Sequence, residues 1–157
     1  MIIRPAKFVD IPKIVELLGT ATSESKYATT APLNREQAKR VLVECIGVQA
    51  DKPGSAMCFI AERDGELIGI FLGVVRMLYE CLDALMISNL VWYVTKDAGG
   101  RAALRLFDAF NEWADQAPGH KIYRYGLTDA FKEPELMAKL MARRGYRQSG
   151  VLMEKEC

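Results

Sequence analysis

Leu90-Val91-Trp92-Tyr93-Val94-Thr95-Lys96-Asp97-Ala98-Gly99-Gly100-Arg101-Ala102-Ala103 is the stretch on which the fold turns. Its first half is apolar and rich in β-branched and aromatic residues, so it reads as the end of a strand running from about Leu85 to Thr95. Its second half opens an amphipathic helix whose Ala103, Leu106, Phe107, Phe110, Trp113 and Ala114 share one face. The turn between them carries two glycines, which leave backbone N–H groups uncovered by side chains. The first N–H groups of a helix have no intrahelical partner, and the helix dipole adds partial positive charge there. Such an end suits a pyrophosphate, and Arg101 and Arg105, one helical turn apart, could reach phosphates. A Gly-Gly turn also serves as a plain connection. This one lacks the Gly-Lys-Ser/Thr ending of a P-loop and the spacing of a dinucleotide fingerprint.

Working outward to the N-terminus, Ala56–Glu62 and Leu67–Val75 are two apolar runs joined by Arg63-Asp64-Gly65-Glu66. An Asp-Gly pair in that setting predicts a β-hairpin. Ahead of it, Asn34 with Gln37 three residues on predicts a capped helix with Ala38, Val41, Leu42 and Cys45 on its apolar face. Ile2-Ile3-Arg4 predicts a short strand. Asp10 and Pro12 then open a helix carrying Ile11, Ile14, Val15 and Leu18, with Gly19 as its stop. The polar run Thr20–Pro32 reads as a loop, and Pro53-Gly54 as a turn.

On the C-terminal side, Pro118-Gly119 ends the long helix and Ile122–Leu127 predicts another strand. Pro134 starts a last helix with Leu136, Met137, Leu140 and Met141 inward, and Gly145 ends it. Val151–Glu154 is a final strand candidate. The order is β-α-α-β-β-β-α-β-α-β. Consecutive strands imply antiparallel hairpins, and the later strand-helix-strand unit implies a parallel pair. The expected fold is one mixed α/β domain spanning residues 1–157, with a central mixed sheet of about six to seven strands and helices on both faces.

The chain has 157 residues and a formal net charge of +1, so no excess of positive charge marks it as a nucleic-acid binder. Met1–Pro5 leads straight into structured sequence, and no apolar run approaches the ~18 residues of a membrane span. The expectation is a cytoplasmic protein with reduced thiols. Cys45 and Cys58 sit in apolar stretches and read as buried and inert. With Cys81, Cys157 and a single His120, no zinc pattern can be built. No metal is expected.

Set in this element order, the chain resembles the GNAT superfamily of acyl-CoA N-acyltransferases, most closely the GNAT-like acetyltransferases of bacteriophages. The resemblance rests on Ile2-Ile3-Arg4-Pro5-Ala6 with Asp10-Ile11, on Phe59-Ile60-Ala61-Glu62 and Gly65-Glu66-Leu67-Ile68-Gly69, and on Arg144-Gly145-Tyr146. It implies a GNAT fold with four flanking helices, acetyl-CoA as cofactor, and direct acetyl transfer to a primary amine on a small molecule or a protein. It implies a cofactor loop at Ala98, Gly99, Gly100, Arg101, Ala102 and Ala103. It also implies strand contacts to the pantetheine arm at Leu90, Val91, Trp92 and Tyr93. Ala98 departs from the family's Arg or Gln, and Arg101 from its Gly, the second departure being shared with the phage type.

Direct transfer needs a base or water chain for the amine, a donor for the oxyanion and an acid for the thiolate. The family's usual acidic Tyr falls on Met141, which cannot donate a proton, so Tyr125 is the substitute candidate. Glu80, Ser88 and Asn89, with Asp83 in the same loop, are candidates for the base. The phage relatives carry a Glu-Ser-x-Tyr between the first two helices. Glu24-Ser25-Lys26-Tyr27 is similar to it, which assigns Glu24 and Tyr27 to the acceptor side. A homodimer is compatible with the family. The alternative is a degenerate GNAT domain that grips a protein partner without catalysis, and Ala98 and Met141 favour it.

Overall fold

Asp64 and Gly65 both take left-handed backbone, at φ 54° and 83°, and close a two-residue turn that pairs Arg63 with Glu66. This is the turn the right-handed twist of a hairpin prefers. A computed structural model describes residues 1–49, 54–127 and 134–155. Among these residues five strands form one sheet in chain order: β1 Ile2–Pro5, β2 Ser55–Arg63, β3 Glu66–Leu78, β4 Leu82–Val94 and β5 Lys121–Tyr123. Neighbours pair antiparallel except β4 and β5, which are parallel. That is the mixed sheet the element order implies, with five strands rather than six to seven.

Helices α1 (Ile11–Glu24) and α2 (Arg35–Gly47) cover one face, where Ile14, Val15 and Leu42 meet Cys58, Ile60, Ile70 and Leu72. Helices α3 (Gly99–Ala114) and α4 (Pro134–Arg143) cover the other, where Leu106, Phe107, Phe110 and Met141 meet Phe59, Phe71, Val75 and Ile87. Each fully buried side chain of this size contributes about 1.5–3 kcal/mol. Gly73 on β3 lets α3 approach closely: a Cβ there would lie 2.5 Å from Cε2 and 2.8 Å from Cε1 of Phe110.

The N-terminal elements are locked by one charged cluster. The Arg4 guanidinium donates to both carboxylate oxygens of Asp10, at 2.8 and 2.9 Å, and to Glu62 at 2.9 Å. Asp10 also accepts the Lys7 N–H at 2.8 Å. At α2 the expected cap is present, with Asn34 Oδ1 accepting from the Gln37 N–H at 3.0 Å.

Three expectations are corrected. Helix α1 runs through Gly19 to Glu24 instead of stopping. The hydroxyls of Thr20, Thr22 and Ser23 bond back to carbonyls of the preceding turn, and Ala21 is buried on the core face. Polar residues here satisfy themselves within the helix rather than leaving it. The strand expected at Ile122–Leu127 is only Lys121–Tyr123, because its neighbour diverges after three paired residues. Val151–Glu154 is not a strand, and Val151, Leu152 and Met153 are exposed without a ladder to join. Of the other sequence features, Pro53 and Cys157 lie outside the described residues. Cys45 and Cys58 are buried, and burial pushes the Cys58 thiol up to about 12.

Candidate active site

The site is built where β4 parts from β5. Leu85, Met86 and Ile87 pair with Lys121, Ile122 and Tyr123, and the Arg124 N–H makes a last bond to the Ile87 carbonyl at 2.8 Å. Beyond that point the ladder between the two strands ends. The Asn89 side chain stands in for the missing ladder: its Oδ1 accepts from the Gly126 N–H at 2.9 Å and its Nδ2 donates to the Gly126 carbonyl at 3.3 Å. From Leu90 to Val94 the outer edge of β4 has no strand partner among the described residues.

A β-bulge sits at the same place. Leu72 faces Val91 while Gly73 faces Asn89, so Leu90 is the extra residue, and it is 51 % exposed. A bulge reverses which residues face each side. Leu85 and Ile87 pack toward α3 before it, and Trp92 and Val94 do so after it. The Trp92 indole N–H donates to the Ala103 carbonyl at 3.2 Å, and its ring stacks on Phe107 with centroids 5.1 Å apart. Tyr93 points the opposite way, into the α1 face, where it is buried. What β4 offers to the splay is therefore its backbone edge and the Leu90 bulge.

The strand leads through residues 95–98 to the start of α3. No side chain caps this helix: Ala98 stands at its N-cap without a side-chain bond. Gly99 takes φ 71°, and a Cβ at Gly99 or Gly100 would meet nothing within 4 Å. The helix N-terminus thus opens onto space in line with the unpaired edge of β4. Arg101 is exposed there, while Ala102 and Ala103 turn into the core, so those two offer only backbone to a ligand. Asp97 is paired with Arg63, and the Thr95 hydroxyl, with a smaller share from that guanidinium, holds its carboxyl below the usual range. Lys96 lies 3.2 Å from Glu24.

The remaining candidates are scattered. Ser88 lies on β4 opposite Val74, one residue before Asn89. Glu80 is at the tip of the β3–β4 turn, exposed, at φ 60°, and Asp83 is beside it. Leu82 and Leu90 are eight residues apart on an extended strand, roughly 27 Å, so Glu80 is not brought to the splay. Tyr125 lies just past β5, and its hydroxyl donates to Asn111 Oδ1 at 2.6 Å. Burial pushes its ionisation well above the ordinary tyrosine range. Its ring sits among Phe107 and Tyr146 on the α3 side. Met141 is buried there too.

On the α1 side, Glu24 Oε2 accepts from the Tyr93 hydroxyl at 3.2 Å. Tyr27 donates instead to Glu154 at 2.5 Å, and Lys26 reaches the same carboxylate at 2.7 Å. The C-terminal segment is thereby tied to the loop between α1 and α2, which no periodicity in the sequence signals. Lys96, Asn111 and Glu154 are the participants that sequence reasoning missed. His120 is exposed. Of the C-terminal basic residues, Arg144 pairs with Asp108 and stacks over Phe107, while Lys139, Arg143 and Arg147 are exposed.

The chain superposes over nearly its whole length on solved proteins of the same architecture. AAC(6')-Iy, solved with the bisubstrate analog CoA-S-monomethyl-acetylneamine, superposes with a TM-score of 0.70 over 99 % of this chain and 98 % of its own, at 17 % identity. The chain has the GNAT fold. The same GNAT architecture relates it to a Trypanosoma brucei acetyltransferase (TM-score 0.70, 12 % identity, 99 % of each chain). It also relates it to glucosamine-6-phosphate N-acetyltransferase from Arabidopsis thaliana (TM-score 0.67, 15 % identity, 99 % of this chain and 97 % of that one). No protein-family model matches the sequence, and neither does any curated protein sequence. Among the described residues no helix is long and apolar enough to cross a membrane, and no cluster of His, Cys, Asp and Glu could hold a metal.

Proposed function

We propose that the chain is an N-acetyltransferase that uses acetyl-CoA and acetylates a primary amine on a small molecule or a protein in the cytoplasm. The observation that carries this reading is the continuity of the unpaired β4 edge with the open start of α3. An extended strand edge can pair a pantetheine arm as it would another strand. The Gly99-Gly100 amides and the helix dipole suit the pyrophosphate, with Arg101 beside them. The residues fit the cofactor by shape, because no Cβ stands in the cradle. That AAC(6')-Iy, which shares the fold, was solved with a CoA-based bisubstrate analog supports CoA as the ligand.

In the reaction the amine nitrogen attacks the thioester carbonyl carbon, the carbon–sulfur bond breaks, and the thiolate takes up the proton the amine loses. The Leu90 bulge places backbone outside the β3 ladder, where an N–H can serve the carbonyl oxygen. Asn89 holds the splay open through Gly126. With Met141 buried and the Tyr125 hydroxyl bonded to Asn111, no side chain is assigned as the acid, and the proton the amine loses reaches the leaving thiolate through water. The lack of an acid at these positions favours a second reading, a GNAT domain kept as a protein-binding module.

Calorimetric titration with acetyl-CoA and CoA separates the two. Micromolar binding, about 8 kcal/mol, is expected, and Gly100→Glu should abolish it through clash and like charge. Absence of binding to both ligands, or a Gly100→Glu variant that binds as tightly as wild type, would overturn the assignment.

A further inference from the structure

The turn between β4 and α3 carries two neighbouring charges in different situations. Asp97 is neutralised by Arg63 across the sheet. Lys96 reaches back to the end of α1, with Nζ 3.2 Å from Glu24 Oε1, and its side chain is 74 % exposed against 28 % for Glu24. The other oxygen of that carboxylate accepts the Tyr93 hydroxyl at 3.2 Å. Glu24 therefore keeps a second anchor that does not depend on Lys96. Burial and the Glu24 charge raise Tyr93 to about 12, so it stays protonated and remains a donor.

An ion pair this exposed contributes at most about 1 kcal/mol, so Lys96 is released from it at little cost. A lysine is a compact charge on a long flexible stem. This one starts three residues before Gly99, beside the open helix N-terminus. We propose that Lys96 is a phosphate-gripping residue of the CoA site, parked on Glu24 until phosphate arrives. Binding moves the ammonium from the carboxylate to the phosphates, while Tyr93 keeps Glu24 in place. The proposal rests on the CoA reading above and adds to it a residue outside the glycine turn.

The test is a double-mutant cycle read as CoA affinity by calorimetry on the full chain. Glu24→Gln keeps an oxygen for Tyr93 but removes the competing charge, so CoA should bind two- to five-fold tighter, the ratio an exposed pair of this strength allows. Lys96→Met should weaken binding several-fold, and Lys96→Arg should restore most of it. In the Lys96→Met background, Glu24→Gln should change nothing. Glu24→Gln that leaves affinity unchanged or weakens it, or that acts equally with and without Lys96, would overturn the proposal. If Gly100→Glu still abolishes binding in that case, the CoA site stands and only the role of Lys96 is lost. Wild-type protein that binds no CoA removes both.

Discussion

Asn89 and Gly126 are joined by two hydrogen bonds, side chain to backbone, at 2.9 and 3.3 Å across the point where β4 and β5 separate. One amide side chain takes the place of ladder pairing just past the last paired residues of the two strands. Asn89→Ala should lower stability by about 1–2 kcal/mol, one neutral hydrogen bond contributing about 1 kcal/mol. The local signature is faster hydrogen exchange at the Gly126 amide. Unchanged protection there would show that the splay is held by something else.

The cluster of Arg4, Asp10 and Glu62 predicts a pH dependence. The Arg4 guanidinium holds the Asp10 carboxyl below its usual range, helped by the Lys7 N–H and opposed by burial. A depressed folded value stabilises the protein above the unfolded value, near 4, and the contribution is lost as pH falls through the folded value. Asp10→Asn should therefore cost about 2–3 kcal/mol at neutral pH, as expected for a charge-assisted, buried contact. The stabilities of wild type and variant from urea titrations should begin to converge as pH falls below about 4 and meet only below the depressed folded value. A gap that persists in acid would assign the loss to packing instead.

The elements that were legible in the sequence are those fixed by neighbours in sequence. Asp64-Gly65 needs only its own left-handed backbone, and Asn34 caps a helix whose Gln37 N–H is three residues away. The long helix is legible because Leu106, Phe107 and Phe110 must face one core. The point where the β4–β5 ladder ends was not, because it lies where Asn89 meets Gly126 from 37 residues away, inside the run Ile122–Leu127 that reads as one strand. Thr20–Glu24 misled because hydroxyl-rich sequence favours loops, yet here Ala21 is buried against the sheet. The Gly99-Gly100 turn was visible as sequence. The contact of Lys96 with Glu24 was not, since it lies between elements far apart in the chain.

Gly73 offers a packing test. A Cβ added there would overlap the Phe110 ring, and the helix lies over the sheet with no slack. Gly73→Ala must displace Phe110 or lift α3, which should cost about 1–3 kcal/mol, the usual range for overpacking. Pairing it with Phe110→Leu should return part of the loss, because the two side chains compete for one volume. Simple additivity of the two substitutions would argue that the strand, not the ring, yields.

Tyr125 and Asn111 form a half-buried polar link between the end of β5 and α3. The Tyr125 hydroxyl donates to Asn111 Oδ1 at 2.6 Å, and Asn111 Nδ2 donates in turn to the Phe107 carbonyl at 2.8 Å. Burial keeps the phenol protonated at any working pH, so the bond is permanent and aimed at α3 rather than at the splay. Tyr125→Phe and Asn111→Ala should each lose about 1 kcal/mol or more, because each leaves a half-buried polar group unpaired. In a double-mutant cycle the two losses should fall short of additivity by about 1 kcal/mol, the range for residues in direct contact. CoA affinity should stay within about two-fold of wild type in Tyr125→Phe, since 0.4 kcal/mol or less is expected from a side chain that does not touch the ligand. Additive losses together with a large drop in CoA affinity would turn the phenol toward the splay and restore it as the candidate acid.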